Sequence, residues 1–225
     1  MSAQKRNTNG EKQCDVAAYV SSGSTTMLQY LLEIDKTATK TVVSFLLKFA
    51  SIKSLRVHCK FLEYSCDGIV WLASWTAFIW LVNSKNLFQM QLNMLIGLLL
   101  DIVVVALLKA IVRRRRPAVP KDTYTIGPDK FSFPSGHASR AFYLLFFFTK
   151  LYSIPVVFWM PLTAWAVSVT LSRLILQRHY LLDVLAGTII GILEAIFLGL
   201  IWISEESALS IIGFVSEDNV PGGPE

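Results

Sequence analysis

Three short segments of this 225-residue chain contain the side chains best suited to chemistry. They read KAIVRRRRP at 109–117, PSGH at 134–137 and SRLILQRHYLLD at 172–183. The candidate site residues within them are Lys109, Arg116, Ser135, Gly136, His137, Arg173, His179 and Asp183. Cations can neutralise the oxygens of a phosphoryl group, and an imidazole can attack phosphorus or protonate a leaving oxygen. The combination therefore predicts a site that handles phosphate.

The first segment supplies two cations on one side of a helix. Lys109 and Arg116 are seven residues apart, close to two helical turns, and Pro117 disfavours helical geometry at Arg116. We expect the helix to end there, with both charged groups meeting at the membrane surface. The alternative is a pair of snorkelling residues at a helix terminus. For residues 113–115, snorkelling or contact with anionic lipid headgroups is the favoured interpretation.

The second segment predicts a helix start that can bind an anion. Ser135 can cap the apolar helix that follows, so that N–H groups of the first turn point outward. Gly136 permits close approach of a phosphate oxygen, and His137 can protonate a departing oxygen. Taken alone, the tetrapeptide also fits an ordinary helix start without a function.

The third segment combines a cation, an imidazole and a carboxylate. Arg173 adds a third positive charge, and His179 and Asp183 are four residues apart, one turn of a helix. We expect the carboxylate to hydrogen-bond the imidazole, which leaves the other ring nitrogen free to attack phosphorus. The alternative is an interfacial histidine next to a helix-capping aspartate.

The joint occurrence of the three segments favours a site, because all three fall at ends of expected membrane spans on the same side. Their cations can neutralise a phosphoryl transition state, so neither a metal nor another cofactor is expected. The sequence also has no H-x-x-x-H pattern, Asp-rich run or cysteine cluster that would indicate a metal site.

The composition places these segments in a membrane protein. Hydrophobic residues make up 53% of the chain and charged residues 16%, with a mean hydropathy of +0.50, which is too apolar for an ordinary soluble domain. The predicted fold class is all-α, a multi-span transmembrane helical bundle. Its expected spans are 66–82, 90–112, 137–152, 155–171 and 184–203.

Outside the spans the chain is polar or amphipathic. We expect a disordered polar tail at 1–24, interfacial amphipathic helices at 25–62, a membrane-embedded domain at 63–203 and an acidic tail at 204–225. Five spans put the basic N-terminal region and all three segments on one side. The positive-inside rule makes that side cytoplasmic.

The three segments resemble the signature of the type-2 phosphatidic acid phosphatase superfamily. The surrounding residues, RRRRPA at 113–118, DKFSFPSGHASRA at 129–141 and LSRLILQRH at 171–179, resemble its polyisoprenoid diphosphate phosphatase branch, which includes presqualene diphosphate phosphatase. The resemblance covers roughly residues 60–203. Many members of this superfamily have six spans and a lumenal or extracellular site, whereas five spans are expected here.

The resemblance implies a metal-independent lipid phosphohydrolase in the endoplasmic reticulum and nuclear envelope. His179 would form a phosphohistidine, Asp183 would support it and His137 would protonate the leaving group. Phosphate would be held by Lys109, Arg116, Ser135, Gly136 and Arg173. Substrates would be farnesyl, geranylgeranyl or presqualene diphosphate, with phosphatidate-type lipids as secondary ones.

Other functions fit parts of the sequence. One is a catalytically idle membrane scaffold, which the intact histidines disfavour. A transporter would need polar residues on both sides of the membrane, and a vanadate-dependent oxidase would not need apolar spans. The expected partners are membrane lipids and the bilayer, without nucleic acid, and the oligomeric state is left open.

Overall fold

The computed structural model describes residues 27–48, 52–118 and 130–215, and within these ranges the chain is helical. The helices are α1 (Met27–Leu46), α2 (Ile52–Ser65), α3 (Gly68–Leu81), α4 (Phe88–Val112), α5 (Gly136–Phe146), α6 (Trp159–Ile175), α7 (Leu181–Leu200) and α8 (Glu205–Val215). Short 3-10 turns precede α4 and α6, and a π-helical turn, Phe147–Leu151, extends α5. The expected polar tail at 1–24 lies outside the described residues.

Among the described residues, three helical stretches are long and apolar enough to cross a bilayer. They are Lys85–Val112, Val156–Ile175 and Leu181–Leu200. The apolar helix α3 has 14 residues, about 21 Å at 1.5 Å per residue, and α5 is similarly short. The predicted all-helical membrane fold is confirmed, and the five expected segments all correspond to helices, of which three have full spanning length.

The N-terminal helices are not separate from the rest of the chain. Helix α2 continues to Ser65, so the expected boundary between residues 62 and 63 lies inside a helix. Helix α1 buries Asp35, Thr39 and Val43 against the bundle. The expected acidic tail is partly ordered, because α8 begins at Glu205. The position of α1 and α2 at the bilayer interface stays a prediction.

Close packing of α5 against α7 sets the geometry of the bundle. Gly187 and Gly191 lie one turn apart on α7 and face the backbone of α5. A Cβ atom at Gly191 would stand 2.0 Å from the carbonyl oxygen of Ser139, and one at Gly187 would stand 2.4 Å from that of Ser135. The two backbones therefore touch where no side chain fits, as at small-residue interfaces of membrane helices.

Buried polar groups also join the helices. Arg140 of α5 donates to Asp101 Oδ2 of α4 at 2.6 Å and to the carbonyl of Cys66 at 3.0 Å. Ser139 of α5 donates to Glu194 of α7 at 3.3 Å. An ionisable group inside a membrane helix is costly unless it is paired. Asp101 and Glu194 thus each accept a hydrogen bond from a neighbouring helix.

We expect Gly191→Ala to destabilise the protein by about 1–3 kcal/mol, because the new methyl group meets a backbone oxygen that cannot turn away. The matched control is Gly199→Ala on the same helix, where the new Cβ would meet the end of the flexible Leu151 side chain at 3.0 Å. The measurement is thermal unfolding in detergent. Equal losses in the two variants would contradict the proposed close packing.

Candidate active site

The helix of the first segment, residues 109–117, ends earlier than expected. Helix α4 stops at Val112, and Arg113 takes a left-handed conformation with φ 50°, so the helix ends before Pro117 is reached. Lys109 remains in the last turn and is buried. The left-handed residue turns the chain toward the stretch just before α5.

Residues 114–116 pair with residues 131–132 across this turn. The Ser132 amide donates to the Arg114 carbonyl at 2.7 Å, and Arg115 and Phe131 form an isolated antiparallel bridge. The side chain of Arg116 donates through Nε to the Phe131 carbonyl at 3.4 Å. The first and second segments are therefore joined through their backbones.

His179 lies in the connection between α6 and α7. Its Nδ1 lies 2.6 Å from the carbonyl oxygen of Ser132, and the side chain is buried. A carbonyl can only accept, so Nδ1 carries the hydrogen and Nε2 of the neutral ring has the free electron pair. This tautomer is the one that a nucleophilic Nε2 requires.

The expected hydrogen bond between Asp183 and His179 is wrong. Helix α7 begins after His179, so the two residues are not one helical turn apart. Asp183 Oδ2 accepts from the Tyr180 amide at 2.8 Å, and Oδ1 accepts from Arg114 at 2.7 Å. Asp183 caps the helix, as the alternative interpretation held, and the Ser132 carbonyl orients the imidazole.

Arg114 connects two carboxylates at the start of α7. It donates to Asp183 at 2.7 Å and to Asp35 of α1 at 2.6 Å, and its guanidinium lies 4.2 Å from the centre of the Tyr180 ring. Asp35 also accepts from the Leu182 amide at 3.0 Å. The snorkelling interpretation is therefore wrong for Arg114, which holds α1 onto the helix that follows His179.

The start of α5 forms as the sequence predicts. Ser135 is the N-cap, and its Oγ accepts from the Ala138 amide at 3.4 Å. The Ser135 amide donates to the Asp183 carbonyl at 3.0 Å, which joins the second segment to the third. Gly136 is buried, and a Cβ atom there would stand 3.1 Å from Val105. The helix start is thus fixed in position beside α4.

Glu63 of α2 contacts two candidate residues, although no motif or spacing predicts a role for it. Its carbonyl accepts from His137 Nε2 at 3.2 Å, and its carboxylate accepts from Arg173 at 3.0 Å. His137 therefore carries a hydrogen on Nε2, and Nδ1 of the neutral ring has the free electron pair. Arg173 is almost fully buried and also donates to Ser172. Glu63 lacks a periodic or motif context, so only the folded chain identifies it.

The cations surround the buried imidazole of His179. Burial holds the pKa of His179 well below its usual range, and the charges of Arg116, Lys109 and Arg173 lower the pKa further, against the hydrogen bond to Ser132. The ring is thus neutral at pH 7. His137 lies within electrostatic range of Arg173, Lys109 and His179. The fold brings both histidines and three cations together, whereas the Asp183 carboxylate contacts the Tyr180 amide and Arg114.

A cleft of about 260 Å³ opens beside this group of charges. Its polar lining includes Lys109, Gly136, His137, Arg140 and Asp67. Its apolar lining comes from α3 and α4 and consists of Ile69, Ile102, Val105 and Ala106. The cleft therefore offers both charged and apolar contacts to a bound molecule. The described residues contain no group of three His, Cys, Asp or Glu side chains that could bind a metal.

Comparisons with known proteins point to one family. The family model of the PAP2 superfamily matches residues 91–205, just over half of the chain. A protein of Arabidopsis thaliana described as probable lipid phosphate phosphatase beta is 37% identical over 130 residues. That match covers 46% of this chain and 61% of the relative, so the chain spans less than two thirds of the relative's length.

The fold also has a match among solved structures. The crystal structure of Aquifex aeolicus LpxE superimposes with a TM-score of 0.51 at 23% identity. The alignment covers 68% of this chain and 90% of that chain. At this level of identity the match concerns the fold alone.

We expect the His179 ring to stay neutral as the pH falls through 6.5, because its pKa is lowered. The measurement is nitrogen NMR of histidine-labelled protein in detergent. The chain has three histidines, and His179→Gln identifies the relevant signal. The spectrum should show hydrogen on Nδ1 and none on Nε2. A ring that gains a proton at or above pH 6.5 would contradict this arrangement.

Asp183→Asn should leave the Nδ1 hydrogen signal of His179 in place, because the acceptor is the Ser132 carbonyl. The same variant should lower the free energy of unfolding by about 1.5–3 kcal/mol, since Arg114 keeps Asp35 but loses the charge of its second buried partner. Arg114→Gln tests this coupling. The double variant should lose clearly less than the sum of the single losses. Additive losses, or disappearance of the His179 signal, would disprove the assignment.

Proposed function

The chain belongs to the PAP2 superfamily, and from this membership we propose that it is a lipid phosphate phosphatase that works through a phosphohistidine. The observation that carries the proposal is the neutral, carbonyl-anchored imidazole of His179 among three cations. A neutral imidazole has the electron pair needed for attack, and the cations stabilise the charge that develops on the phosphoryl oxygens. The relative's description as a lipid phosphate phosphatase agrees with this proposal.

In the first step His179 Nε2 attacks phosphorus. A P–N bond forms and the P–O bond to the lipid breaks. Nδ1 of His137, which takes up a proton when the phosphate anion binds beside it, gives that proton to the leaving oxygen. The hydrogen bond from His137 Nε2 to the Glu63 carbonyl holds the ring during this transfer. Lys109, Arg116 and Arg173 bind the phosphoryl oxygens, together with the start of α5 at Ser135 and Gly136.

In the second step water replaces the histidine. His137 Nδ1 accepts a proton from the water molecule, whose oxygen attacks phosphorus. The P–N bond breaks, phosphate is released and the neutral His179 ring returns. The charge of the transition state is neutralised by side chains in both steps, so the reaction needs no metal ion. Asp183 contributes by capping α7 and holding the Ser135 amide through its backbone carbonyl.

The cleft supports an amphiphilic substrate. A phosphate at Lys109 and His137 places the leaving group next to Ile102, Val105 and Ala106, which lie on the membrane-embedded part of α4. The hydrocarbon chain can therefore stay in apolar surroundings while the headgroup reacts. The resemblance of residues 113–118 and 129–141 to isoprenoid diphosphate phosphatases makes farnesyl, geranylgeranyl and presqualene diphosphate the first candidates, and phosphatidate-type lipids the second.

We place the enzyme in the membranes of the endoplasmic reticulum and nuclear envelope, with its site facing the cytoplasm. The basic residues of α1 and α2 and of residues 113–116 support this orientation through the positive-inside rule. In this arrangement α1 lies on the bilayer surface, with the exposed Met27, Leu28 and Leu31 toward lipid.

His179→Ala should reduce phosphate release at least about 1,000-fold, because the nucleophile is removed. The matched control is His58→Ala, since His58 is exposed on α2. The assay uses detergent-purified protein with EDTA present and compares farnesyl diphosphate, presqualene diphosphate and phosphatidate.

Each outcome of this assay has a distinct meaning. Release that requires His179 and tolerates EDTA supports the proposal, and the relative rates rank the lipid classes. Near wild-type release by His179→Ala contradicts a phosphohistidine, and a strict divalent-ion requirement contradicts charge neutralisation by side chains. No release from any lipid by a folded preparation would favour the scaffold alternative.

A further inference from the structure

The carboxylate of Glu63 contacts the cations of the candidate active site. Its Oε1 lies 3.0 Å from Arg173 Nη1 and 3.8 Å from Arg178 Nε. Arg173 is one of the groups assigned to phosphate, and its side chain is 1% exposed, whereas the Glu63 side chain is 24% exposed. The carboxylate of Glu63, which lies outside the three motif segments, thus pairs with a cation of the proposed phosphate site.

The backbone at Glu63 is fixed, so its side chain is the part that can move. The Cys66 thiol donates to the His137 carbonyl at 3.4 Å, and the Trp71 indole donates to the Ser65 carbonyl at 2.7 Å. The Trp165 indole donates to Ser65 Oγ at 3.0 Å. These contacts anchor the end of α2 against α5 and α6. The partly exposed carboxylate can rotate without moving this anchor.

Two electrostatic requirements act on Arg173. A buried guanidinium without an anion is strongly unfavourable, so Arg173 needs a partner while the site is empty. A phosphate on the same guanidinium would be repelled by a carboxylate at that position, because like charges a few ångströms apart repel strongly in a poorly hydrated site. Both requirements are met if phosphate replaces the Glu63 carboxylate on Arg173 when it binds, and the carboxylate returns when phosphate leaves. Arg178, already within 3.8 Å, offers the displaced carboxylate a second cation.

We propose that Glu63 is an exchangeable counter-ion of Arg173, which the substrate phosphate displaces and which helps to expel the product phosphate. This inference rests on the proposed function, because it takes Arg173 as a phosphate ligand. Glu63 is a positioning residue that keeps Arg173 extended and paired between turnovers. Its carboxylate competes with phosphate, so the empty site binds anions less tightly than its cations alone would.

The test compares Glu63→Gln with the wild-type protein in detergent. The amide keeps the size of the side chain and removes the negative charge. Isothermal titration with inorganic phosphate should show roughly tenfold tighter binding by the variant, since a competing charge a few ångströms away is lost. In the assay with lipid substrate, KM and the inhibition constant of phosphate should both fall. A merely structural role would move phosphate binding in the opposite direction.

The control is Glu33→Gln, which removes the same charge from an exposed pair with Lys36 on α1. Phosphate binding by this control should match the wild-type protein. Glu63→Asp is a second variant, in which the carboxylate is withdrawn by one methylene, and it should also bind phosphate more tightly. If Glu63→Gln does not fold, phosphate binding by Glu63→Asp tests the proposal.

Unchanged or weaker phosphate binding by the folded Glu63 variants would overturn the proposal. Equally tighter phosphate binding by Glu33→Gln would also overturn the proposal, because the effect would then come from the net charge of the protein. Titration does not depend on turnover, so it separates this proposal from the proposed function. If the Glu63 variants bind phosphate more tightly but no phosphate is released from lipids, the proposed phosphatase activity is contradicted and the counter-ion role of Glu63 is supported. An absence of phosphate binding in every variant would overturn the counter-ion even if lipids are hydrolysed.

Discussion

In the part of the chain that the structure describes, arginines withdrawn from water donate to carboxylates. Arg140 pairs with Asp101, Arg114 pairs with Asp35 and Asp183, and Arg173 pairs with Glu63. A guanidinium in a poorly hydrated environment needs such partners, because its lost hydration is otherwise uncompensated. Arg140 and Arg173 each pair with a residue of another helix, and Arg114, in the turn after α4, joins α1 to α7. The need to neutralise buried cations therefore decides which helices meet around the candidate active site.

The contact between α5 and α7 adds a geometric constraint to this electrostatic one. The glycines of α7 let the backbone of α5 approach directly, and the Ser135 amide reaches the Asp183 carbonyl at 3.0 Å. The start of α5 is thereby fixed relative to the turn that carries His179. Phosphate chemistry requires the nucleophile, the acid and the cations to be held in one geometry. Backbone contacts provide this geometry more rigidly than long side chains could.

Backbone carbonyls have a similar role for the two histidines. His179 donates to Ser132 and His137 donates to Glu63. A carbonyl can only accept, so each hydrogen bond fixes the orientation of its ring and the nitrogen that carries the hydrogen in the neutral form. Asp183 acts at a distance, because it caps the helix that follows His179 and holds Arg114. Its removal would change the site through the fold rather than through direct contact with the imidazole.

The sequence alone determined the helical membrane fold, the cap at Ser135 and the identity of the cations and imidazoles. These follow from local composition and spacing, because a helix start or an apolar span depends on neighbouring residues. The tertiary structure alone decided the partners of those side chains. Asp183 has the spacing for a hydrogen bond to His179, but α7 starts too late for it, and Glu63 reaches the site from a helix that carries no motif. Contacts between distant residues depend on how the helices pack, and no short-range pattern in the chain specifies this packing.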